Sequence, residues 1–390
     1  MVQPPLIDLL GAAWQLGAAV VGVAWVAPWD AEQPLAAFGL GDGGVALARG
    51  RWDGGPEVGR RPDGSVEVTL ARAPRPPVSR VQAHKPSTGT AGGGCLALVS
   101  DPEGGFLSGG ADGKLVRLSA EGEARPRTEF GGRPVAFVAA GGAGRFAFAS
   151  GRDVRTTTGQ ALSLPGAVRA LAYDASGEHL AVAHAEGVSV LAGRDAPARR
   201  LRTPGPALAL AWSPDGAYVA AGLDAGGERG AILAWHMPDG ADTALAGCAG
   251  PPHRLAFSAD GAFLAASGGP RALCWDFDPP SPAEPLGCGL SSRQHPVSAV
   301  AWHPALPVLA AGYSQGAAVL CQPGAEGALM VKGAGGGAVT ALAFSPDGRL
   351  LALGTAEGEA GIVLFPDGLL RQPGECPNGT GAVATQEARS

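Results

Sequence analysis

The sequence predicts an all-β fold in which one short antiparallel unit is repeated around a closed ring. Four near-copies of one phrase carry this prediction, each an apolar run that ends in an aromatic residue and leads into a tight turn. The aromatic residues are Trp212, Phe257, Trp302 and Phe344, at intervals of 45, 45 and 42 residues. A fixed period of this size is typical of repeat architectures.

Each copy of the phrase predicts a strand, a turn and a returning strand. In the turn at 213–216, proline presets φ, aspartate can accept a hydrogen bond from a nearby backbone amide, and glycine tolerates the last corner. A second apolar run follows each turn, at 218–222, 263–266, 308–312 and 350–354.

Weaker copies extend the pattern towards the start of the chain and give eight units, with seven as the alternative. The first strands expected for these further units are 20–25, 96–99, 135–138 and 168–173. Asp-Gly turns such as Asp42–Gly43 and Asp112–Gly113 introduce a third strand, because this dipeptide between apolar runs favours a hairpin. A more polar fourth segment, such as 328–331, completes the unit. Four antiparallel strands in about 40 residues, repeated around a ring, are the plan of a β-propeller blade.

We expect residues 1–372 to form one propeller and 373–390 to be a disordered tail. The first two units are unusually far apart, and we interpret 53–94 as an elaborated outer hairpin followed by a long loop. Unpaired sheet edges are a liability in β proteins, so one blade should take strands from both chain ends. We expect 6–10 to be the outer strand of the last blade, beside 362–365.

Composition fits a folded repeat protein and argues against other classes. Of 390 residues, 46% are hydrophobic and only 16% are charged, which excludes a disordered composition. The 63 glycines and 34 prolines fall mainly between apolar runs, as turn residues do. A net charge of −6 lacks the basic bias of a nucleic-acid-binding domain, so no nucleic-acid partner is expected.

The cysteines and the N-terminal segment favour a cytoplasmic location. Six cysteines are scattered among the repeats without a Cys-x-x-Cys pair, as reduced thiols are, and no zinc set can be assembled from them and the histidines. Residues 6–29 are apolar, but the first basic residue is Arg49, whereas a signal peptide starts with a basic segment. We therefore expect no membrane segment, metal or cofactor.

Two motifs look chemical but fall in hairpin turns. Residues 312–316 spell Gly-x-Ser-x-Gly, yet a strand follows instead of the helix that a nucleophile elbow requires. Residues 39–44 match a dinucleotide fingerprint, again without a following helix to direct amides at a pyrophosphate.

These repeats resemble the WD40-repeat β-propellers over roughly residues 20–365. The strongest units match that family's inner strand, Ser-Pro-Asp-Gly turn, second strand and Asp-Gly turn. The family's Trp-Asp pair survives at Trp275–Asp276, with Trp235–His236 as a partial copy, and its Gly-His is reduced to Ala83–His84 and Gln294–His295. The combination is similar to uncharacterised bacterial WD40-like proteins.

The resemblance implies one structural set of polar side chains. In the family, a histidine before the inner strand bonds an aspartate in the second turn, with help from a serine and a tryptophan. Here His84, Asp112 and Ser108 match these positions, and Leu118 replaces the tryptophan.

The resemblance also implies a non-catalytic scaffold that presents one propeller face to a protein partner, acting as a monomer. The second turns and the loops before the inner strands should share that face, because antiparallel strands alternate in direction. The residues expected on it are Trp14, Asp42, Lys114, Arg152, Arg229, Arg271, Tyr313 and Gln315.

Two alternatives stand beside the scaffold. One is a periplasmic propeller resembling TolB, whose repeats also use Ser-Pro-Asp-Gly. The other is a propeller hydrolase or lyase with its site in the central channel. The predicted inner strands are mainly apolar, with Arg169 and Arg254 among the few ionisable exceptions, and they pair no nucleophile with a base.

Overall fold

The computed structural model confirms an all-β ring and decides for eight blades. It describes residues 4–26, 34–49, 57–60, 66–69, 77–85, 94–193, 197–226, 229–277, 284–366 and 369–370. Eight sheets each contain four antiparallel strands. Their first strands contact one another in chain order, and the last also contacts the first, so the sheets close around one axis. The tail expected at 373–390 lies outside the described residues.

The chain begins with a helix and a strand, α1 (Leu6–Leu10) and β1 (Gly11–Gln15), before the first four blades. Blade 1 consists of β2 (Val20–Val26), β3 (Leu35–Leu40), β4 (Gly44–Arg49) and, after the separate hairpin β5 (Glu57–Arg60) and β6 (Val66–Thr69), β7 (Val78–Gln82). Blade 2 consists of β8 (Cys95–Ser100), β9 (Phe106–Gly110), β10 (Lys114–Leu118) and β11 (Ala124–Glu129). Blade 3 consists of β12 (Phe137–Ala140), β13 (Phe146–Ser150), β14 (Asp153–Thr156) and β15 (Ala161–Ser163). Blade 4 consists of β16 (Val168–Tyr173), β17 (His179–His184), β18 (Gly187–Ala192) and β19 (Arg199–Leu201).

The remaining four blades follow the same order from inner to outer strand. Blade 5 consists of β20 (Ala207–Trp212), β21 (Tyr218–Asp224), β22 (Gly230–His236) and β23 (Asp242–Leu245). Blade 6 consists of β24 (Leu255–Phe257), β25 (Phe263–Ala266), β26 (Ala272–Asp276) and β27 (Leu286–Cys288). Blade 7 consists of β28 (Val297–Trp302), β29 (Leu309–Tyr313), β30 (Ala318–Cys321) and β31 (Ala328–Lys332). Blade 8 consists of β32 (Val339–Phe344), β33 (Leu350–Thr355), β34 (Glu359–Leu364) and β1.

The ring closes with a strand from the chain start, but the predicted segment was wrong. β1 pairs antiparallel with β34, with Trp14 opposite Ala360. The segment Leu6–Leu10, expected as that strand, forms α1 instead. Its apolar side chains repeat at helical rather than strand spacing, and Leu6 and Ile7 are buried between blades 7 and 8. The outer strand therefore begins one element later.

The stretch 53–94 contains more strand than the long loop expected from the sequence. β5 and β6 pair only with each other, as an added hairpin between the third and fourth strands of blade 1. β7 then returns to pair with β4 as the outer strand of that blade. The sequence did not predict β7, because an outer strand is largely exposed and has little apolar pattern.

Each blade is buried on both faces, which explains the continuous apolar runs of its middle strands. Successive side chains of a strand point to opposite faces. In β33, Leu350 and Ala352 therefore pack against blade 1, whereas Leu351 and Leu353 pack against blade 7. Eight apolar clusters of this kind each join two neighbouring blades.

Side chains of the inner strands also bond neighbouring blades directly. The aromatic position of the repeated phrase, where it is tryptophan, donates its indole N–H to a carbonyl of the preceding blade. These bonds run from Trp25 to Ala343 at 2.8 Å, from Trp212 to Ala172 at 3.0 Å and from Trp302 to Ala256 at 2.9 Å. Hydroxyls reach the following blade in the same way, from Ser298 to the carbonyl of Val339 at 2.7 Å and from Thr340 to that of Val20 at 2.6 Å.

The Ser-x-Asp-Gly turns are stabilised by their own side chains. In blade 8, Ser345 Oγ donates to Asp347 Oδ1 at 2.5 Å and accepts from the Leu350 amide at 2.9 Å. Gly348 adopts a φ of +74°, which favours glycine, and a Cβ there would collide with the His303 ring of the preceding blade. The phrase is therefore needed both for the turn and for the interface beside it.

The closing interface offers a direct test of these hydroxyl bonds. Thr340→Val removes a donor to the carbonyls of Val20 and Gly354, and we expect a loss of about 1–3 kcal/mol because a buried carbonyl then lacks a partner. Ser298→Ala removes the equivalent bond between blades 7 and 8 and serves as the matched control. Urea unfolding followed by tryptophan fluorescence measures both. An unchanged midpoint for Thr340→Val beside a lowered one for Ser298→Ala would show that closure does not depend on this bond.

Candidate functional site

The turns between second and third strands lie at the same end of the ring as the loops that precede the inner strands. We call this end the second-turn face. Backbone hydrogen bonds join the two sets of loops, from the amide of Val168 to the carbonyl of Gly151 at 2.8 Å and from the amide of Ser314 to that of Pro296 at 3.0 Å. The loops therefore form one continuous surface on a rigid ring.

The eight residues predicted on this face differ widely in exposure. Arg152 and Arg229 are exposed in the second turns of blades 3 and 5. The half-buried residues are Trp14, Asp42, Lys114, Arg271 and Gln315. Asp42 is engaged in an ion pair with Arg80, and the Trp14 ring lies 6.5 Å from that of Phe38.

The prediction for Tyr313 was wrong. Its side chain is fully buried as the last residue of β29, and its hydroxyl donates to the carbonyl of Leu290 at 2.9 Å. Burial raises the pKa of this phenol well above its usual range. Tyr313 therefore supports the loop after blade 6 and presents no surface to a partner.

His84, Ser108 and Asp112 come together as a buried hydrogen-bonded set. His84 Nδ1 lies 3.0 Å from Asp112 Oδ1, and His84 Nε2 lies 2.8 Å from Ser108 Oγ. Gly110 belongs to the same arrangement, because a Cβ there would collide with the His84 ring. The set joins the loop before blade 2 to the second turn of that blade. Leu118, in the place of the family's tryptophan, is buried in the core between blades 1 and 2.

The inner strands of all eight blades line a central cavity of about 400 Å³. Its wall is mainly Val, Leu, Ala and Phe, and its only ionisable side chains among the described residues are Arg169, His253 and Arg254. None of the described side chains that line it is a carboxylate. Since the other described lining side chains are uncharged, the described part of the channel carries positive charge alone.

A recurrent β-bulge explains how Arg169 reaches the channel. Six blades shift register at the second residue of the inner strand, and in blade 4 the shift falls between Val168 and Ala170. A bulged residue is left out of the ladder and its side chain is re-aimed. Arg169 is that residue, at the end of the channel next to the second-turn face.

Arg254 and His253 lie at the corresponding position of blade 6. Burial lowers the pKa of the Arg254 guanidinium, although the residue keeps exposed surface, because the wall surrounds the group without covering it. Its guanidinium donates to the carbonyl of His253 at 3.3 Å. No carboxylate among the described residues pairs with either channel arginine. Sequence reasoning missed His253, although it lies four residues before the aromatic Phe257, as Arg169 lies four residues before Tyr173 in blade 4.

The channel wall shows no catalytic arrangement among the described residues. The Thr340 hydroxyl is occupied by the carbonyls of Val20 and Gly354, at 2.6 and 3.1 Å. Across the part of the chain that the structure covers, no three or more His, Cys, Asp or Glu side chains are grouped to hold a metal ion. None of the described helices has the length and apolar character to cross a membrane.

A second cavity, of about 670 Å³, lies beside blade 2 and is lined by side chains of both signs. Its charges are largely matched within the wall. Arg117 pairs with Asp101 at 2.7 Å and with Glu103 at 3.1 Å, and Arg125 pairs with Glu123 at 2.6 Å. Although this cavity is larger than the channel, it offers a ligand fewer unpaired groups.

The His84 set predicts how stability depends on pH. Burial lowers the pKa of His84, against the opposing effect of Asp112, whereas in the unfolded chain it titrates near 6.5. The contribution of His84 to the free energy of unfolding is therefore fully present above pH 6.5. It is lost as the pH falls through that value towards the folded pKa. We expect His84→Asn to be less stable at pH 7.5 and to show a weaker loss between pH 7.5 and 5, by urea unfolding at several pH values. His184 and His303, whose pKa values burial also lowers, keep part of the slope. An undiminished slope in His84→Asn would contradict the assignment.

Comparison with known proteins agrees with this geometry. A family model described as "WD domain, G-beta repeat" matches residues 329–360. The match starts in β31 of blade 7 and ends in β34 of blade 8, so the sequence repeat is offset from the blade by one strand. A search of curated proteins finds no match.

Solved structures share the architecture at low identity. The crystal structure of the computationally designed Ika8 protein aligns with a TM-score of 0.64 and 15% identity, over 90% of this chain and 98% of that one. The Dos1 propeller aligns with a TM-score of 0.63 and 12% identity, over 90% of this chain and 93% of that one. Identities this low establish the fold alone. The chain is thus an eight-bladed β-propeller that contains a WD40 repeat.

Proposed function

We propose that the protein is a non-catalytic interaction scaffold that binds an acidic segment of a protein partner where the channel opens on the second-turn face. The observation that carries this proposal is the charge of the channel wall, in which Arg169, His253 and Arg254 stand without a carboxylate among the described residues. WD40 propellers commonly act as interaction scaffolds, and that general role is the starting point of the proposal.

The physical basis is a local positive field among mainly apolar side chains. Low-dielectric walls focus such a field, and guanidinium groups bind carboxylates through paired hydrogen bonds. The net charge of −6 does not cancel this effect, because exposed charges further away than about 8–10 Å are largely screened at physiological salt. A carboxylate entering the channel would meet two arginines that no described side chain neutralises.

The surface around the opening supports the same ligand. Arg152 and Arg229 are exposed on the second-turn face, and arginine is among the residue types that dominate interface energies. Together with Arg169 and Arg254 they would let an extended acidic segment bind across several blades. We favour a protein partner over a nucleic acid because the cationic groups are few and local, whereas nucleic acids need a broad basic surface.

We further propose that the protein acts in the cytoplasm as a monomer. All five described cysteines are free thiols, as expected in a reducing compartment. A periplasmic propeller resembling TolB is the alternative. Cell fractionation distinguishes the two locations, and light scattering on the purified chain measures the oligomeric state.

Peptide binding tests the site. A fluorescein-labelled oligoglutamate peptide should bind the intact chain with an affinity that falls as salt increases, and oligolysine should not bind. We expect Arg169→Ala with Arg254→Ala to weaken oligoglutamate binding at least about tenfold, because a charge-assisted hydrogen bond contributes about 1.5–3 kcal/mol. Fluorescence anisotropy measures both.

Arg125→Ala is the matched control, since this arginine lies on the outer strand of blade 2, is highly exposed and pairs with Glu123. Its affinity for oligoglutamate should equal that of the parent chain. Equal binding by the double variant, or equal binding of oligoglutamate and oligolysine, would disprove the channel site. Replacing Arg152 and Arg229 by alanine then shows whether the surrounding turns take part.

A further inference from the structure

Three thiols meet in the interface between blades 6 and 7. Cys274 lies on β26, Cys288 on β27 and Cys321 on β30, and all three are buried. Cys288 Sγ lies 3.0 Å from Cys321 Sγ and 3.9 Å from Cys274 Sγ. Cys288 is therefore the central sulfur, with one partner on its own blade and one across the interface.

A positive charge lies beside this cluster. Arg271 immediately precedes β26, and among the described residues its Nη2 makes one long contact, of 3.5 Å with the carbonyl of Gly289. Its Nε is buried without a hydrogen-bond partner among the described residues. The guanidinium thus lies beside the backbone on either side of Cys288, and its charge favours the thiolate form of that cysteine.

The thiols differ in their acidity for the same reasons. Hydrogen bonds from Cys274 and Cys321, together with the charge of Arg271, hold the pKa of Cys288 below its usual range. The pKa values of Cys274 and Cys321 are raised, because each donates to Cys288 and is buried. The thiolate is the reactive form of cysteine, so one nucleophilic sulfur stands beside two protonated ones.

We propose that Cys288 and Cys321 form a modification site, oxidised by a hydroperoxide to a disulfide that joins blade 6 to blade 7. The Cys288 thiolate attacks a peroxide oxygen, so an S–O bond forms, the O–O bond breaks, and the released hydroxide takes up a proton. The Cys321 sulfur then attacks Cys288, so the S–S bond forms and the S–O bond breaks. The second hydroxide leaves with the Cys321 proton as water. Two electrons pass from sulfur to the peroxide, and two thiols plus hydrogen peroxide become one disulfide and two waters.

Strand register favours Cys321 over Cys274 as the partner. In the pairing of β26 with β27, Cys288 faces Ala272 and Cys274 faces Leu286, so the two cysteines are diagonal neighbours. Diagonal residues of an antiparallel pair are about 7–8 Å apart, beyond the Cα separation that a disulfide usually spans. The Sγ atoms of Cys288 and Cys321 are 3.0 Å apart. Because β27 and β30 belong to different sheets, no ladder of hydrogen bonds fixes the separation of these two residues. Cys274 then acts as a hydrogen-bond donor that keeps Cys288 reactive.

The proposal is independent of the scaffold function, since it concerns a blade interface and not the channel. It does bear on the second-turn face, because Tyr313 and Arg271 both contact the loop directly after Cys288. Forming the disulfide removes the thiolate charge that Arg271 faces. The site therefore couples thiol oxidation to the loop that carries Gly289 and Leu290.

Peptide mapping tests the site on the full chain. The reduced protein is treated with hydrogen peroxide, alkylated and digested with trypsin, which leaves Cys274 and Cys288 in residues 272–293 and Cys321 in 294–332. A second protease that cuts before Asp276 and Asp278 then separates Cys274 from Cys288. We expect a cross-link between the Cys288 and Cys321 peptides. A disulfide between Cys274 and Cys288 would overturn the proposal. So would the absence of a Cys288–Cys321 disulfide at a peroxide dose that already oxidises Cys248.

Oxidation rates test whether Cys288 is a reactive thiol or is merely close to Cys321. Oxidation of Cys288 should vary little between pH 6 and 8, whereas that of Cys248 should rise steeply, because burial raises the pKa of Cys248 to about 11. Arg271→Gln should slow cross-linking about tenfold or more and make it pH-dependent, and Arg271→Lys should retain most of the rate. Cys321→Ser should abolish the cross-link, and Cys274→Ser should slow it without abolishing it. Circular dichroism verifies that each variant is folded, and a parental rate and pH profile in Arg271→Gln would contradict the role given to its charge.

Discussion

Every blade of this protein must bury two faces, and the rest of the structure depends on that constraint. Alternate side chains of a middle strand pack against opposite neighbours, as Leu350 and Leu351 do in blade 8. A blade removed from the ring would expose both of these surfaces at once. Since no blade is complete without two neighbours, the first and last must also meet, and the chain start supplies β1 to make that contact.

The same packing makes a rigid frame for the channel. Indole N–H groups and hydroxyls of the inner strands cross from blade to blade, and bulges at the second inner residue turn side chains away from the ladder. Blades 7 and 8 carry Ser298 and Thr340 at this position, whose hydroxyls bond the next blade, so its residue type differs between blades. In this chain blade 4 carries Arg169 there and blade 6 carries His253 beside Arg254, which makes the described channel wall cationic.

Blade interfaces also bring together polar and reactive groups that are distant in the chain. His84 reaches Ser108 and Asp112 across the start of blade 2, and Cys288 reaches Cys321 between blades 6 and 7. The first set is fully bonded and fixes two loops. In the second set, the sulfurs of Cys288 and Cys321 are close but not covalently linked, and Arg271 nearby has few hydrogen-bond partners among the described residues. This set therefore lies in a structural interface and is also suited to react.

The sequence by itself determined the all-β class, the repeated blade and its strand order, and the resemblance to WD40 repeats implied the set of His84, Ser108 and Asp112. The class, the blade and the strand order follow from local sequence, because the alternation of apolar residues and the turn chemistry each act within one repeat. It also pointed to Arg169 and Arg254 as ionisable residues of the inner strands. It did not identify which N-terminal segment closes the ring, since the helical spacing of apolar residues in Leu6–Leu10 covers only 5 residues, too few to separate helix from strand.

Only the tertiary structure decided the burial of Tyr313, the place of β7, the channel position of His253 and the meeting of three thiols. The physical reason is that these properties depend on the angle at which a side chain leaves its blade towards a neighbour. The local sequence pattern indicates where a residue lies along a strand. Which surface of the next blade it faces is settled only when the ring has closed.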